Sequence, residues 1–283
     1  MYTLPNAKIN IGLRIVGRRP DGYHDLQTVF FPIPLTDSLE IEEARRLRKP
    51  YEFILSGMAL PDDGRDNLVV RVFLALKEEF GLPPTSIFLS KHIPAGAGLG
   101  GGSSDAAAMM QLLNDYYRLD LTPAQMEQRL AAFGADCPFF VRNRPMYAEG
   151  VGNVFTPVNV SLKDKYIALV KPDVHVSTAG AYAAIDSSTG KLRTPAPSHL
   201  RDLIENTPVH LWRNVITNDF EPYVFSTYPK VAAIKQTLYD MGALYASMSG
   251  SGSAVYGIFN RPVDNASKVF ADCFTFAGSL AFS

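Results

Sequence analysis

The chain has 283 residues, of which 47% are hydrophobic, and this is enough apolar material for a folded core rather than a disordered chain. Its formal net charge of −1 opposes binding to nucleic acid or to an anionic membrane, and no apolar run approaches the length of a bilayer span. The N-terminal residues do not resemble a signal peptide, and the two cysteines make no disulfide framework, so we expect a cytoplasmic protein with reduced thiols. The five histidines are scattered and lack the spacing of a zinc site.

The first half of the chain begins with strands and continues into helices. Apolar or alternating segments predict strands at residues 7–16, 26–30, 37–43, 51–56 and 86–90, which open the chain as an all-β meander. Helical spacing predicts helices at 67–80, 106–119 and 122–132, with Gly81 ending the first and Thr122 capping the last. Residues 61–66 are rich in Asp and are expected to form a loop.

The composition changes after Pro157, and the second half mixes strands and helices more evenly. The pattern predicts strands at 165–170, 243–248 and 254–259, and helices at 178–185, 229–241 and 263–270. Residues 187–197 are polar and are expected to form a loop. The β-α…α-β-β-α order favours a ferredoxin-like second domain, so we divide the chain into domains 1–158 and 159–283.

A glycine-rich loop, residues 94–105, joins a predicted strand to a predicted helix. It reads Pro-Ala-Gly-Ala-Gly-Leu-Gly-Gly-Gly-Ser-Ser-Asp. Glycine allows a ligand to approach the main chain closely, and the free N–H groups and dipole of a helix start favour an anion. We therefore interpret this stretch as a phosphate-binding loop, with Ser103 as the N-cap of the following helix.

Two better-known phosphate patterns fit this loop less well. Gly96, Gly98 and Gly101 match the dinucleotide pattern of nicotinamide-dependent oxidoreductases, but Thr122 caps another helix where a second parallel strand is needed. A Walker loop would need a lysine where Gly102 stands, so positive charge has to come from Mg²⁺ or from a distant lysine. A flexible turn without a ligand is the remaining alternative.

Three other stretches carry polar groups that chemistry could use. Lys8 and Asn10 share one face of the first predicted strand, where an ordinary solvent face is an equally good interpretation. Tyr23 and His24 lie at a loop tip and could bind a planar ligand or simply cover the loop. Asp136 stands among small and aromatic residues, and on position alone a turn or helix-cap aspartate is slightly favoured.

Three motifs together resemble those of the GHMP kinase superfamily, which includes galactokinases, homoserine kinases and mevalonate kinases. They are Lys8 with Asn10, the glycine-rich loop, and the small-residue stretch 247–253. Within the superfamily the chain resembles the 4-diphosphocytidyl-2-C-methyl-D-erythritol kinase family. Four stretches carry this narrower resemblance: Ala7-Lys8-Ile9-Asn10, Arg19-Pro20-Asp21-Gly22-Tyr23-His24, Gly134-Ala135-Asp136-Cys137-Pro138-Phe139 and Ala148-Glu149-Gly150-Val151-Gly152.

The resemblance implies a two-domain α+β fold with the active site in the cleft between the domains. The N-terminal domain would be a ribosomal-protein-S5-like α/β domain and the C-terminal one a ferredoxin-like α+β domain. ATP with Mg²⁺ would phosphorylate the 2-hydroxyl of 4-(cytidine 5'-diphospho)-2-C-methyl-D-erythritol, in the non-mevalonate route to isoprenoid precursors. This small molecule is the expected partner, with no nucleic acid or membrane, and the chain is expected to be a monomer or a weak homodimer.

The same resemblance assigns roles to individual residues. Asp136 would accept the proton of the substrate hydroxyl, while Lys8 would keep Asp136 ionised and stabilise charge on the transferring phosphoryl group. Asn10 would hydrogen-bond the erythritol part. The triphosphate would be held by Pro94, Ala95, Gly96, Ala97, Gly98, Leu99, Gly100, Gly101, Gly102, Ser103 and Ser104.

The resemblance also suggests how the acceptor is chosen and which rival functions remain. Tyr23 and Tyr182 would stack on the cytosine while His24 reads its edge. Homoserine kinases lack the Asp-Gly-Tyr-His segment, and mevalonate kinases are usually longer. A non-catalytic nucleotide-binding sensor would be expected to lose Lys8 or Asp136, and both are present.

Overall fold

The computed structural model describes residues 1–60, 66–188 and 199–281. Except for residues 66, 187 and 188, the loops predicted at 61–66 and 187–197 lie outside this part of the chain. Within these ranges no helix combines the length and apolar character needed to cross a bilayer.

The described chain contains both strands and helices, with five strands at its start. The strands are β1 (Tyr2–Thr3), β2 (Asn6–Arg18), β3 (His24–Thr36), β4 (Ser38–Glu43), β5 (Tyr51–Gly57), β6 (Thr85–Lys91), β7 (Met146–Glu149), β8 (Val154–Pro157), β9 (Tyr166–Pro172), β10 (Tyr245–Met248), β11 (Val255–Phe259) and β12 (Cys273–Ser279). The α-helices are α1 (Leu68–Phe80), α2 (Gly101–Tyr117), α3 (Pro123–Leu130), α4 (Phe139–Arg142), α5 (Thr178–Ser188), α6 (Leu200–Asn206), α7 (Trp212–Val215), α8 (Glu221–Thr227), α9 (Pro229–Asp240) and α10 (Ala266–Val269). The predicted α+β fold class is confirmed.

The chain folds into two compact units that interleave along the sequence. The first unit comprises Met1–Ala7, Leu35–Ala95 and Gly100–Arg144, and the second comprises Lys8–Pro34, Gly96–Leu99 and Pro145–Ser283. The predicted boundary at residue 158 and the predicted interdomain position of the active site stay predictions. So do the oligomeric state, the cytoplasmic location and the expectation that nucleic acid and membranes are not partners.

The sheet of the first unit is not the meander that the strand succession predicts. Its order is β1-β4-β6-β5, so β6 lies between two strands that precede it in the chain. β5 pairs with β6 in parallel, which needs a crossover, and α1 supplies it. The meander prediction is wrong because strand order depends on this non-local pairing, which local periodicity does not encode.

Local capping signals explain where α1 begins and ends. The side chain of Asn67 accepts a hydrogen bond of 2.9 Å from the backbone N–H of Val69, which satisfies one free donor of the first turn. Gly81 ends the helix in the left-handed conformation, at φ 67°. The predicted helix at 67–80 is therefore confirmed, and its buried residues include Val72 and Phe73.

Helix α2 begins five residues earlier than predicted, and its N-cap is different. The helix starts at Gly101 rather than at residue 106, and the N-cap is Gly100 at φ 71°, so the prediction of Ser103 as N-cap is wrong. A glycine with positive φ turns the loop directly into the helix at no steric cost. Ser103 consequently lies inside the first turn of α2.

The second unit contains two four-stranded sheets, with orders β2-β3-β7-β8 and β10-β11-β9-β12. In the latter, every pairing is antiparallel, and β9 and β11 occupy the centre. In this unit β9, β10, β11 and β12 are the first to fourth strands of a βαββαβ succession. Their order in the sheet is therefore 2-3-1-4, which is the order of a ferredoxin-like sheet. The prediction of a ferredoxin-like second domain is confirmed, although the edge strand β12 was not among the predicted elements.

A buried ion cluster joins three elements of the first unit. The ammonium of Lys91, at the end of β6, lies 2.6 Å from Asp105 Oδ2 on α2 and also hydrogen-bonds Asp37, just before β4. Asp37 in turn accepts from the backbone N–H of Ile93 at 2.8 Å. Burial raises the pKa of Asp105 to about 7 even though Lys91 opposes the shift. The cluster therefore holds in place both ends of the segment that contains the glycine-rich loop, at residues 91–93 and at Asp105.

Replacing Lys91 by methionine should destabilise the protein by about 3–5 kcal/mol, because Asp37 and Asp105 would face each other in a dry site without a cation. The loss should be smaller at pH 5 than at pH 8, since a protonated carboxyl group needs no counter-charge. Urea unfolding at both pH values measures this. The exposed Lys49→Met is the matched control and should change the free energy of unfolding by less than about 0.5 kcal/mol. An unchanged stability of Lys91→Met at pH 8 would contradict this account of the cluster.

Candidate active site

The middle of the glycine-rich loop packs against the serine–glycine loop, residues 249–253, which follows β10. Ser249 donates its hydroxyl to the carbonyl oxygen of Gly98 at 2.8 Å, and the backbone N–H of Ala254 donates to the carbonyl of Ala97 at 3.3 Å. A Cβ on Gly98 would lie 2.1 Å from the carbonyl oxygen of Ser249. Because this approach leaves no room for a side chain, glycine is required at position 98.

The side chains of Lys8 and Asn10 are buried next to each other on β2. Each is 3% exposed, so the interpretation of this face as a solvent face is wrong. Lys8 Nζ donates to Asn10 Oδ1 at 2.6 Å, and Asn10 Nδ2 donates to the hydroxyl of Thr28 at 3.0 Å. Since an ammonium can only donate, this bond fixes the orientation of the Asn10 amide. The ammonium also lies 4.5 Å from the ring centroid of Phe30.

Main-chain hydrogen bonds attach this polar pair to the two loops. The backbone N–H of Lys8 donates to the carbonyl of Leu99 at 2.9 Å, and the backbone N–H of Asn10 donates to the Ser249 hydroxyl at 3.2 Å. Tyr256 donates its phenol to the carbonyl of Asn10 at 2.8 Å. The second unit thus brings Lys8 and Asn10 together with residues 96–99 of the glycine-rich loop.

Two buried polar residues hold the serine–glycine loop, and sequence reasoning missed both. Asn218 Nδ2 donates to the carbonyls of Met248 at 2.9 Å and Gly250 at 2.8 Å. Glu221 accepts from the backbone N–H of Met248 at 3.0 Å and pairs with Lys235 at 2.7 Å. The available signal was Asn218 shortly before α8 and Glu221 at its first position, and both are hard to distinguish from ordinary capping residues.

In the first unit, the segment with Asp136 lies beside the first turn of α2. Asp136 is half-buried, and the next residue, Cys137, is fully buried beside the side chain of Ser103. Burial raises the pKa of the Cys137 thiol to about 11, so it is a protonated packing group at neutral pH. Asp136 therefore adjoins, in the chain, a buried residue that lies beside the first turn of α2.

The predicted acceptor residues group around His24 in the second unit. His24 is 8% exposed, and its Nε2 lies 2.8 Å from Asp186 Oδ1. The Tyr182 ring stacks on the imidazole at 4.8 Å between centroids with 20° between the planes. Tyr23 is adjacent in the chain, and its ring is 66% exposed. The structure thus brings His24 and Tyr182 together and adds Asp186, which no sequence motif singled out.

Two family models and several relatives match this chain. Residues 67–144 match the family model "GHMP kinases N terminal domain" and residues 200–273 match "GHMP kinases C terminal". The chain is 48% identical to a 4-diphosphocytidyl-2-C-methyl-D-erythritol kinase of Bacteroides fragilis, over 99% of this chain and 100% of the relative. It is 47% identical to the protein of the same name from Parabacteroides distasonis, with the same coverage. A crystal structure of a 4-(cytidine 5'-diphospho)-2C-methyl-D-erythritol kinase superposes with a TM-score of 0.82 at 30% identity, covering 99% of this chain and 98% of the other.

Gly98→Ala should lower the free energy of unfolding by at least about 2 kcal/mol, because a Cβ would meet the Ser249 carbonyl in a left-handed backbone conformation. Gly102→Ala is the matched control in the same loop, since no atom lies within 4 Å of its added Cβ and the position is helical. That variant should be neutral or more stable by up to about 1 kcal/mol. Chemical denaturation without nucleotide measures both. Equal stabilities for the two variants would refute the close approach at Gly98.

Proposed function

The chain belongs to the 4-diphosphocytidyl-2-C-methyl-D-erythritol kinase family of GHMP kinases, and on this basis we propose its reaction and its residue roles. It is an ATP-dependent small-molecule kinase. It transfers the γ-phosphoryl group of ATP to the 2-hydroxyl of 4-(cytidine 5'-diphospho)-2-C-methyl-D-erythritol, in the non-mevalonate route to isoprenoid precursors. The observation that carries this conclusion is the 48% identity with a relative of that name over its full length.

The triphosphate is proposed to bind to main-chain groups. The first helical turn of α2 presents N–H groups without intrahelical acceptors, and the helix dipole favours negative charge there. Gly102 is exposed in this turn and carries no side chain that could keep a phosphate away. Phosphoryl transfer depends chiefly on positioning and on charge stabilisation, and a rigid main-chain cradle supplies the positioning.

Asp136 is proposed as the general base and Lys8 as the cation that stabilises the transferring phosphoryl group. Support comes from each unit separately. Cys137, next to Asp136, lies beside Ser103 in the proposed phosphate-binding turn, and the backbone N–H of Lys8 donates to the carbonyl of Leu99 in the same loop. The tertiary hydroxyl of the acceptor is hardly acidic, so a carboxylate that accepts its proton lowers the barrier.

The acceptor is proposed to place its cytosine beside His24. A base hydrogen-bonded edge to edge with His24 would lie near the imidazole plane, and therefore nearly parallel to the Tyr182 ring stacked on His24. Tyr23 offers an exposed ring for the opposite face of the base. Asn10 would bind the erythritol part, since its amide is held by Lys8 and Thr28.

Mg²⁺ is proposed as the companion of ATP. Among the described residues, no group of three His, Cys, Asp or Glu side chains is arranged to hold a metal ion. Mg²⁺ does not need such a group, because this ion usually takes one or two protein ligands together with substrate phosphates and water. The hydroxyl of Ser103 or Ser104 in the first turn of α2 would be its protein ligand. When bound, Mg²⁺ would neutralise charge on the triphosphate oxygens.

The proposed substrate is tested by an ADP-release assay with three acceptors at equal concentration. Cytidine diphosphate methylerythritol should be phosphorylated, whereas mevalonate and homoserine should give kcat/KM values lower by at least about 1,000-fold, since both lack the base and leave its polar partners unsatisfied. Efficient turnover of either small alcohol, or none with the cytidine compound, would overturn the proposed substrate.

Asp136→Asn should lower kcat by about 100- to 10,000-fold while the Kd for ATP stays within about twofold, because the amide cannot accept the hydroxyl proton. Single-turnover kinetics and calorimetric ATP titration separate the two effects. Asp115→Asn, an exposed aspartate on α2, is the matched control and should keep normal kcat. A kcat near that of the unmodified enzyme in Asp136→Asn would remove Asp136 as the base.

A further inference from the structure

His24 is a buried histidine with one ring nitrogen bonded and the other available. Within the described residues, the only hydrogen-bond partner of its imidazole is Asp186, whose Oδ1 lies 2.8 Å from Nε2. Asp186 lies on α5, far along the chain from His24 on β3, and about one third of its side chain is exposed. The His24 hydrogen bond lowers the pKa of the Asp186 carboxyl group, so at neutral pH this carboxylate is ionised and can only accept.

A carboxylate that accepts from Nε2 determines where the ring proton lies. In the neutral imidazole one nitrogen carries the proton and the other a lone pair, so protonation of Nε2 leaves Nδ1 as an acceptor. Arg18 lies 3.6 Å from Asp186 Oδ2 and supplies a positive charge to this carboxylate in addition to the His24 N–H.

Packing contacts also fix the orientation of the His24 ring. Tyr182 stacks on one face of His24, and the Tyr182 ring in turn meets Phe220 edge-on, at 4.9 Å between centroids and 88° between planes. Rotation of the imidazole about its Cβ–Cγ bond would break both this stacking and the bond to Asp186. Nδ1 of His24 therefore points in one fixed direction and acts as a hydrogen-bond acceptor.

We propose that Asp186 is a specificity-determining positioning residue, which keeps the proton of His24 on Nε2 so that Nδ1 selects cytosine over uracil. This inference rests on the proposed function. Cytosine presents an amino donor at C4, where uracil presents a carbonyl acceptor. An acceptor at Nδ1 pairs with the amino group of cytosine and is opposed by the lone pairs of the uracil oxygen. One such pair is worth about 1–3 kcal/mol of discrimination, which corresponds to roughly 5- to 150-fold in kcat/KM.

The test compares cytidine and uridine diphosphate methylerythritol as acceptors for the full-length enzyme and three variants. Asp186→Ala should reduce the cytidine-to-uridine ratio of kcat/KM by about tenfold or more, mainly through a higher KM for the cytidine compound, with the KM for ATP unchanged. Asp186→Asn should retain most of the preference, because its amide oxygen still accepts from Nε2. Asp240→Asn, a carboxylate that bonds only Gln236 among the described residues, should behave as the unmodified enzyme.

Nitrogen-15 NMR of the histidine rings gives a readout that a merely structural role would not change. The His24 signal is identified by its loss in His24→Gln. In the unmodified enzyme at neutral pH it should show a protonated Nε2 and an unprotonated Nδ1, and in Asp186→Ala a mixture of tautomers. A doubly protonated ring or an Nδ1–H tautomer in the unmodified enzyme would overturn the proposal, and so would an unchanged base preference in Asp186→Ala. If neither acceptor is phosphorylated, the proposed function fails, whereas the NMR spectra still decide the role of Asp186.

Discussion

The ammonium of Lys8 imposes the strongest constraint on the candidate site, because a charge taken out of water must be met by groups that the protein holds in place. Asn10 meets it through an amide oxygen at 2.6 Å, and the rest of that amide needs Thr28. The backbone of Asn10 needs the hydroxyl of Ser249. Two strands and the serine–glycine loop must therefore keep one mutual register, and any slip would leave a buried polar group unsatisfied. The same network gives the site its rigidity, which phosphoryl transfer requires.

Features with a local physical cause were predicted well from the sequence. Helix α1 is bounded by Asn67 and Gly81, whose capping preferences act within one turn, and the predicted bounds agree with the structure. The alternation along β2 predicts the shared face of Lys8 and Asn10, but not that it is buried, because burial depends on residues that are distant in the chain. The kinase reaction could be predicted because three widely separated motifs occur together in one chain, although each motif alone allows several interpretations.

Features that depend on non-local packing were not predictable in the same way. The start of α2 was misplaced because helical periodicity begins at the alanines, whereas Gly100 starts the helix through its positive φ. The position of β5 depends on pairing across a crossover helix. Asp186 carries no motif at all, and only the fold brings it to His24. A single aspartate on a short helix is ordinarily a solvated residue, so its significance appears only with its partner.

The comparison of two buried lysines shows why nearness to a phosphate loop does not by itself make a cation functional. Lys91 lies directly beneath the start of α2, and its Nζ would be 3.4 Å from a Cβ on Gly101. Its charge, however, is shared between two carboxylates, which raise its pKa against the effect of burial and leave no net positive charge for a ligand. Lys8 Nζ donates instead to the neutral amide oxygen of Asn10 at 2.6 Å, and this bond orients the ammonium. Lys91 is therefore committed to supporting the loop, and Lys8 on β2 is the lysine that we propose as the functional cation.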